Sequence, residues 1–444
     1  MNRDALLAVV AEWLEEGEVP PLVPREGPHP DLPALKRILA VVGPRRAGKT
    51  YFLYQLVGSL LQGGRHAKGE ILFVDFEDYR LAGFSADHVE ELLAAFAQLA
   101  GRPPRFLFFD EVQQVAGWSR ILRTLHNRRR FRIVVSGSSS RLLHREVASE
   151  LRGRYEDRLM LPFSFREFLR YEGLEVRATT AHTAARGAIL AAFDRYLAKG
   201  GFPEVVAATS ERERRALLRS YYQTIFYRDT VERHGIKVRH LLEMLMGNLL
   251  ESYADRFSIS RFERQLKAHG LAGSKRTISN YLAYLEEAFF VLTHEKFAYS
   301  PRKRLMNPKK VYLMDTGFAA LGRPFSENRG RLLENVVAVE LYRRGEEAYY
   351  YGGRHECDFL LKRGRQPVQA LQVCWEVTPV NRRRELAGLA EARRVLGVEE
   401  GLILTYAQRG EEAVGGWKVP VVPVWEWLVF GGPEDRGRPG RHDG

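Results

Sequence analysis

One octet constrains this chain more than anything else in it. Gly43-Pro44-Arg45-Arg46-Ala47-Gly48-Lys49-Thr50 stands between the apolar run ILAVV and the helix-like stretch KTYFLYQLVGSLL. A glycine-rich turn that leaves a strand and opens a helix points successive backbone N–H groups into one concavity, and the helix N-terminus adds positive potential there. The pattern G-x-x-x-x-G-K-T in that setting is a phosphate cradle. It assigns residues 43–50 and the adjoining Tyr51 to a nucleotide, Lys49 to its β- and γ-phosphates, and Thr50 to Mg2+.

Such a cradle needs a parallel sheet behind it, and the sequence supplies one. ILAVV, ILFVD, RFLFFD and RIVVS are short apolar runs separated by helical stretches, as expected for strands covered on both faces. The third run ends in Asp110 and Glu111. Acids at the carboxyl end of a strand lie where ligands bind in open α/β sheets. Asp110 is therefore expected at Mg2+, and Glu111 is expected to polarise the attacking water. The fourth run ends in SGSSS, so Ser138, or Ser136 beside it, could sense the γ-phosphate. A plain serine-rich turn capping a helix is the alternative.

At 444 residues the chain is long for one domain at about 150 residues each. Hydrophobic residues make up 45% and can fill true cores. Two cysteines, Cys357 and Cys374, exclude a disulfide framework and fit reduced thiols in the cytoplasm. No run approaches the roughly 20 apolar residues of a membrane span. The opening helix, MNRDALLAVVAEWLEEGE, is followed by acids and does not read as a signal peptide. The net charge of +13 favours a polyanionic partner, nucleic acid before a membrane surface, although an arginine-rich surface alone would give the same sum.

Farther along, SISRFERQLKAHGLAGSKRTISNYL reads as two helices about a glycine turn, followed by the basic stretch SPRKRLMNPKK. In a DNA-binding helix-turn-helix, Lys275 and Arg276, with Ser279 and Asn280, would face a groove, and Arg302, Lys303 and Arg304 would meet phosphate from a wing. A structural helical segment with solvated charges is the alternative.

Taken together, GPRRAGKT, FFDEVQQVAGW, VVSGSSSRLL, LRGRYEDRLMLPFSFREF and KGGFPEV resemble a family of prokaryotic AAA+-like ATPases that carry a C-terminal domain of unknown function. The resemblance spans about residues 20–430. It implies a sensor at Ser138, an acidic turn at Asp75 and Glu77, and an arginine finger at Arg154, with Arg152 second, reaching a neighbouring subunit. It implies a winged-helix-like middle and an end of restriction-endonuclease-like fold. In that end, Glu334 matches a helix acid and Asp358 a strand acid. The usual Glu-x-Lys reads Gln372-Val373-Cys374 here, so the cation is missing from its usual place and a degenerate nuclease fold is expected. Glu376 would share a strand face with Gln372 and Cys374.

The expected architecture is α/β. Residues 1–30 form an N-terminal helix and connector, and 31–160 a P-loop core with a parallel sheet. Residues 161–208 form a helical lid, 209–322 a winged-helix-like domain, 323–430 a degenerate nuclease-like domain, and 431–444 a disordered tail. The expected activity is Mg2+-dependent ATP hydrolysis by an oligomer that binds and remodels DNA, branched DNA included. A nucleotide switch working through protein contacts is the other class.

Overall fold

The computed structural model describes residues 2–16, 19–27, 29–138, 153–322 and 329–431. The chain divides into two compact units at Leu161/Pro162.

The first unit is built on a five-stranded sheet. Its strands are β1 (Ile38–Val42), β2 (Ile71–Asp75), β3 (Phe106–Asp110), β4 (Arg132–Gly137) and β5 (Tyr155–Leu159), in the order β2-β3-β4-β1-β5 and parallel throughout. The four runs read as strands from the sequence are β1 to β4. β5 was not legible: YEDRL carries three charged residues because it is an edge strand, exposed or half-buried along its length.

Among the described residues, the α-helices of this unit are α1 (Arg3–Glu16), α2 (Lys49–Leu61), α3 (Val89–Ala100) and α4 (Trp118–Asn127). The opening helix is part of this core rather than a separate segment. Trp13 donates its indole N–H to the Ile71 carbonyl at 2.6 Å and stacks on Phe73, centroids 5.2 Å apart. The Pro-rich connector also packs inward. The buried Arg25 guanidinium donates to the Ala47 and Leu161 carbonyls, each at 2.6 Å, so it braces the glycine-rich loop from behind.

The second unit begins with α5 (Phe165–Tyr171), α6 (Ala185–Lys199), α7 (Pro203–Ala207) and α8 (Glu211–Thr224), which runs into a π-helical stretch, Ile225–Glu232. The KGGFPEV motif has a structural role here. A Cβ on Gly200, at φ 75°, would overlap Asp315 Oδ1 at 1.7 Å. The buried Asp315 carboxylate accepts the Gly201 and Gly317 N–H groups at 2.7 and 2.8 Å.

Next come α9 (Arg239–Glu251), β6 (Asp255–Phe257), α10 (Ile259–Ala268), α11 (Lys275–Glu287), β7 (Val291–His294), α12 (Pro301–Met306) and β8 (Lys309–Leu313). The three strands form an antiparallel sheet in the order β6-β8-β7. A helix, a strand, two helices and a hairpin thus follow one another from Arg239 to Leu313. The basic stretch SPRKRLM is a helical turn at the tip of the β7–β8 hairpin rather than an extended wing, because Pro301 opens it at a position where a helix needs no N–H.

The end of the unit holds α13 (Arg329–Arg343), β9 (Glu347–Gly352), β10 (Glu356–Arg363), β11 (Gln366–Val373), α14 (Arg382–Leu396), β12 (Glu400–Thr405), β13 (Gly410–Val414), β14 (Trp417–Pro423) and α15 (Val424–Phe430). Its six-stranded mixed sheet runs β13-β14-β12-β11-β10-β9. Cys357 and Cys374 are both free and buried. The expected tail, beyond residue 431, lies outside the described residues. Among the described residues, no helix is long and apolar enough to cross a membrane.

Candidate functional site

The glycine-rich loop leaves β1 at Val42. Gly43 is required by space: a Cβ there would sit 1.8 Å from the Met160 carbonyl oxygen, just past β5. Gly48 is required by conformation, with φ 93°. Arg46 takes φ 64°, a left-handed geometry that a non-glycine residue holds only where its surroundings impose it. Pro44 and Ala47 are buried, Arg45 is half-buried and pairs with Glu77 at 2.8 Å, and Arg46 and Tyr51 are exposed. Asp75 accepts the Glu77 N–H at 2.8 Å, so the acidic turn after β2 reaches this loop through Arg45.

Behind the loop the predicted residues converge. Lys49, buried at the start of α2, lies 3.1 Å from the Pro44 carbonyl and 3.2 Å from Glu111 Oε1. Thr50 Oγ1 donates to Asp110 Oδ2 at 2.5 Å. The other Asp110 oxygen accepts a short hydrogen bond from Ser136 Oγ, and the same hydroxyl accepts the Glu111 N–H at 3.0 Å. Glu111 sits at φ 48°, a turn that points its carboxylate back towards Lys49. Gln113 donates to Glu111 and, at 3.3 Å, to Ser138 Oγ. Of the two serines left open by the sequence, Ser136 touches the acids and Ser138 meets them through Gln113.

The electrostatics separate the two carboxylates. Burial, and then the Glu111 charge, push Asp110 up to about 6, while Ser136, Thr50 and Lys49 pull the other way. Burial also acts to raise Glu111, but Lys49, Arg45 and Gln113 outweigh it and hold that carboxyl below its usual range. Thr50 and Asp110 together present hydroxyl and carboxylate oxygens, the hard donors that magnesium takes.

One prediction follows from Asp110. Its folded-state value lies above the ordinary aspartate range, so the folded protein binds this proton more tightly than the unfolded chain does. Stability from this group is therefore fully present in acid and declines as pH rises towards about 6. Asp110→Asn removes that penalty. The nucleotide-free variant should be more stable than the parent at pH 8, by on the order of 1–3 kcal/mol, and equal or weaker near pH 4. Urea unfolding at the two pH values checks this, and an Asn variant less stable at pH 8 would refute it.

Arg154 precedes β5, where its carbonyl accepts the Ile38 N–H at 2.8 Å. It is thus beside the start of β1, while the glycine-rich loop leaves the end. The five residues of β1 amount to about 16 Å of strand. Arg154 and the loop of the same chain lie at opposite edges of the sheet. Arg152 and most of the SSSRLL stretch lie outside the described residues.

In the second unit, Lys275 and Arg276 open α11 and are exposed, as are Ser279 and Asn280; Ser274 caps the helix by accepting the Thr277 N–H at 3.1 Å. Arg302 and Lys303 are exposed on α12. Arg304 is not free like its neighbours. It donates to the Ala298 carbonyl at 2.9 Å and pairs with Glu295 at 3.5 Å.

Glu334 on α13 and Asp358 on β10 do come together, as the sequence implied, and both bind Lys310 Nζ at 2.9 Å. A cation stands among these acids, supplied by β8 and not by position 374. One reading of this region is corrected: β11 ends at Val373, so Glu376 shares no strand face with Gln372 and is exposed. Gln372 donates to Glu385 at 3.0 Å. Sequence reasoning missed Gln113, Arg25 and Lys310, because Ser138, the Ala47 and Leu161 carbonyls, and Glu334 and Asp358 that they meet lie far along the chain.

An AAA domain family matches residues 35–169, and a domain of unknown function, DUF8612, matches residues 190–327. Over 404 residues the chain is 33% identical to an uncharacterized protein of Methanocaldococcus jannaschii, covering 88% of each. It is 28% identical to an uncharacterized protein of Haemophilus influenzae, over 88% of this chain and 94% of that one. Among solved structures, the Walker-type ATPase PABY2304 of Pyrococcus abyssi is similar at 14% identity over 65% of this chain and 91% of that chain, with a TM-score of 0.40. The Orc1 protein of Aeropyrum pernix, solved in complex with DNA, is similar at 15% identity over 77% and 92%, with a TM-score of 0.28.

Proposed function

Because this chain belongs to the family of AAA P-loop ATPases that carry this second domain of unknown function, we propose that it hydrolyses ATP with magnesium and uses the turnover to act on DNA as an oligomer. The observation that carries the hydrolytic reading is the convergence of Lys49, Thr50, Asp110 and Glu111 at one edge of one sheet. The backbone of residues 43–50 cradles the phosphates. Thr50 and Asp110 hold the magnesium ion, whose charge offsets that of the phosphates. Lys49 is held by a carbonyl and a carboxylate, both of which a phosphate oxygen can replace. That exchange frees Glu111 to accept a proton from water, with Ser136 and Gln113 fixing its orientation.

Oligomerisation is supported by Arg154, which the sheet holds at the edge opposite its own phosphate loop and which is therefore suited to another subunit's nucleotide. DNA is supported by the winged-helix-like arrangement and by the exposed Lys275, Arg276, Arg302 and Lys303 on a chain of net charge +13.

The test is ATP turnover with and without single-stranded, duplex and branched DNA. DNA-stimulated turnover is expected. An arm with Arg154→Ala subunits mixed with Lys49→Ala subunits should recover part of the rate that each lacks alone. Slow turnover that no DNA changes would instead support a nucleotide switch acting on proteins, and a fully active monomer would remove the finger.

A further inference from the structure

Lys310 is the second residue of β8, and its side chain is 3% exposed. Its Nζ lies 2.8 Å from Glu356 Oε1 and 2.9 Å from both Glu334 Oε1 and Asp358 Oδ1. An ammonium carries three protons, and here each has its own carboxylate. The cluster is assembled from separate elements: Glu334 comes from α13, Glu356 and Asp358 from β10, and Lys310 from the winged-helix-like sheet. Its members are fixed independently. Tyr312, two residues along β8 and hence on the same face, donates to Glu334 Oε1 at 2.8 Å. The second Asp358 oxygen accepts the Val373 N–H at 2.9 Å. The Glu356 backbone is pressed against α14 so closely that a Cβ on Gly388 would stand 1.9 Å from its carbonyl oxygen.

We propose that the Lys310 ammonium is the built-in cation of the Glu334–Glu356–Asp358 pocket and stands where a divalent metal would otherwise bind. Carboxylate oxygens converging from a helix and a strand are hard donors, and magnesium or manganese would hold them at about 2.0–2.2 Å. An ammonium already within 2.9 Å of all three leaves no room for an ion bonded to the same oxygens. Among the described residues, no group of three or more His, Cys, Asp and Glu side chains is arranged to hold a metal ion as it stands. Gln372, on β11 beside β10, is buried, and its amide oxygen has no hydrogen-bond partner among the described residues. Without Lys310, Glu334 and Asp358 would be buried like charges with Glu356 half-buried beside them, which a divalent ion could compensate. The pocket is thus a joint closed by lysine.

The test uses nucleotide-free, full-length protein and manganese alone, with bound Mn2+ counted by electron paramagnetic resonance. Lys310→Ala should take up one Mn2+ more than the parent, at least about tenfold tighter than any parent site in this region. The double variant Lys310→Ala/Asp358→Asn should lose it, and weak sites elsewhere cancel across the three proteins. Thermal melting gives a second readout. Lys310→Ala should melt lower than the parent and recover in Mn2+, while the parent should not move. The proposal is overturned if the parent itself binds an Mn2+ that Asp358→Asn removes. It is equally overturned if a folded Lys310→Ala gains no site, or if an unstable one is not rescued by Mn2+.

Discussion

Glu111→Gln is expected to slow ATP turnover by about 10²-fold or more while nucleotide affinity stays within a few-fold of the parent, on the scale of general-base effects. The carboxylate is placed for that role by several independent contacts. Its backbone is turned at φ 48°, its N–H is held by Ser136, and its side chain lies between Lys49 and Gln113. Glutamine has the same shape and keeps an oxygen for Lys49, so the loop should remain folded. What it loses is basicity. Lys49 and Arg45 hold Glu111 below the usual carboxylate range, so it is fully ionised at neutral pH and ready to accept a proton. Affinity survives because the phosphates are held by the loop backbone, Lys49 and Thr50. Single-turnover rates and fluorescent-nucleotide binding separate the two effects. Unchanged turnover would take Glu111 out of the chemistry.

The second large effect is expected in the salt dependence of DNA binding. Log affinity for duplex should fall with log salt, and each cation that meets a phosphate contributes about 0.9 to the slope. Replacing Lys275, Arg276, Arg302 and Lys303 together should flatten the slope by up to about 3.6 and weaken binding uniformly across sequences. Arg304→Ala provides the contrast. That guanidinium is engaged by the Ala298 carbonyl and Glu295, so its loss should leave the slope near the parent value. Equal slopes in the fourfold variant and the parent, or no binding at low salt, would move the DNA interface elsewhere or abolish it.

What could be read from the sequence, and what could not, divides along the distance over which a residue acts. β1 to β4 announce themselves because a strand covered on both faces is apolar through its middle. GPRRAGKT is legible because its requirements are local: one glycine for close approach to Met160, one for a left-handed turn, and a lysine at a helix start. β5 was missed because an edge strand need not be apolar. Ser136 was harder to choose than Ser138, because the choice depends on which hydroxyl faces Asp110 across two strands. Cys374, at the place where the resemblance expects a lysine, carries no cation. Nothing in a linear reading could show that Lys310, in a different sheet, stands among the same acids. The motif KGGFPEV was noticed, yet its purpose depends on Asp315, more than a hundred positions away.

Lys310 also bears on how this protein can be divided. The matched DUF8612 segment ends at residue 327, which marks a seam in the chain. β8 ignores that seam. Lys310 and Tyr312 lie on one side of it in the chain, and the carboxylates that engage them lie on the other. Asn335, also beyond the seam, closes both the N–H and the carbonyl of Leu313 at 2.8 Å. Removing the C-terminal end would strand a buried ammonium and an unpaired backbone. A chain given the end from elsewhere would receive acids with nothing to neutralise them. Any truncation or exchange that parts the two halves of the second unit must therefore replace a charge as well as a surface.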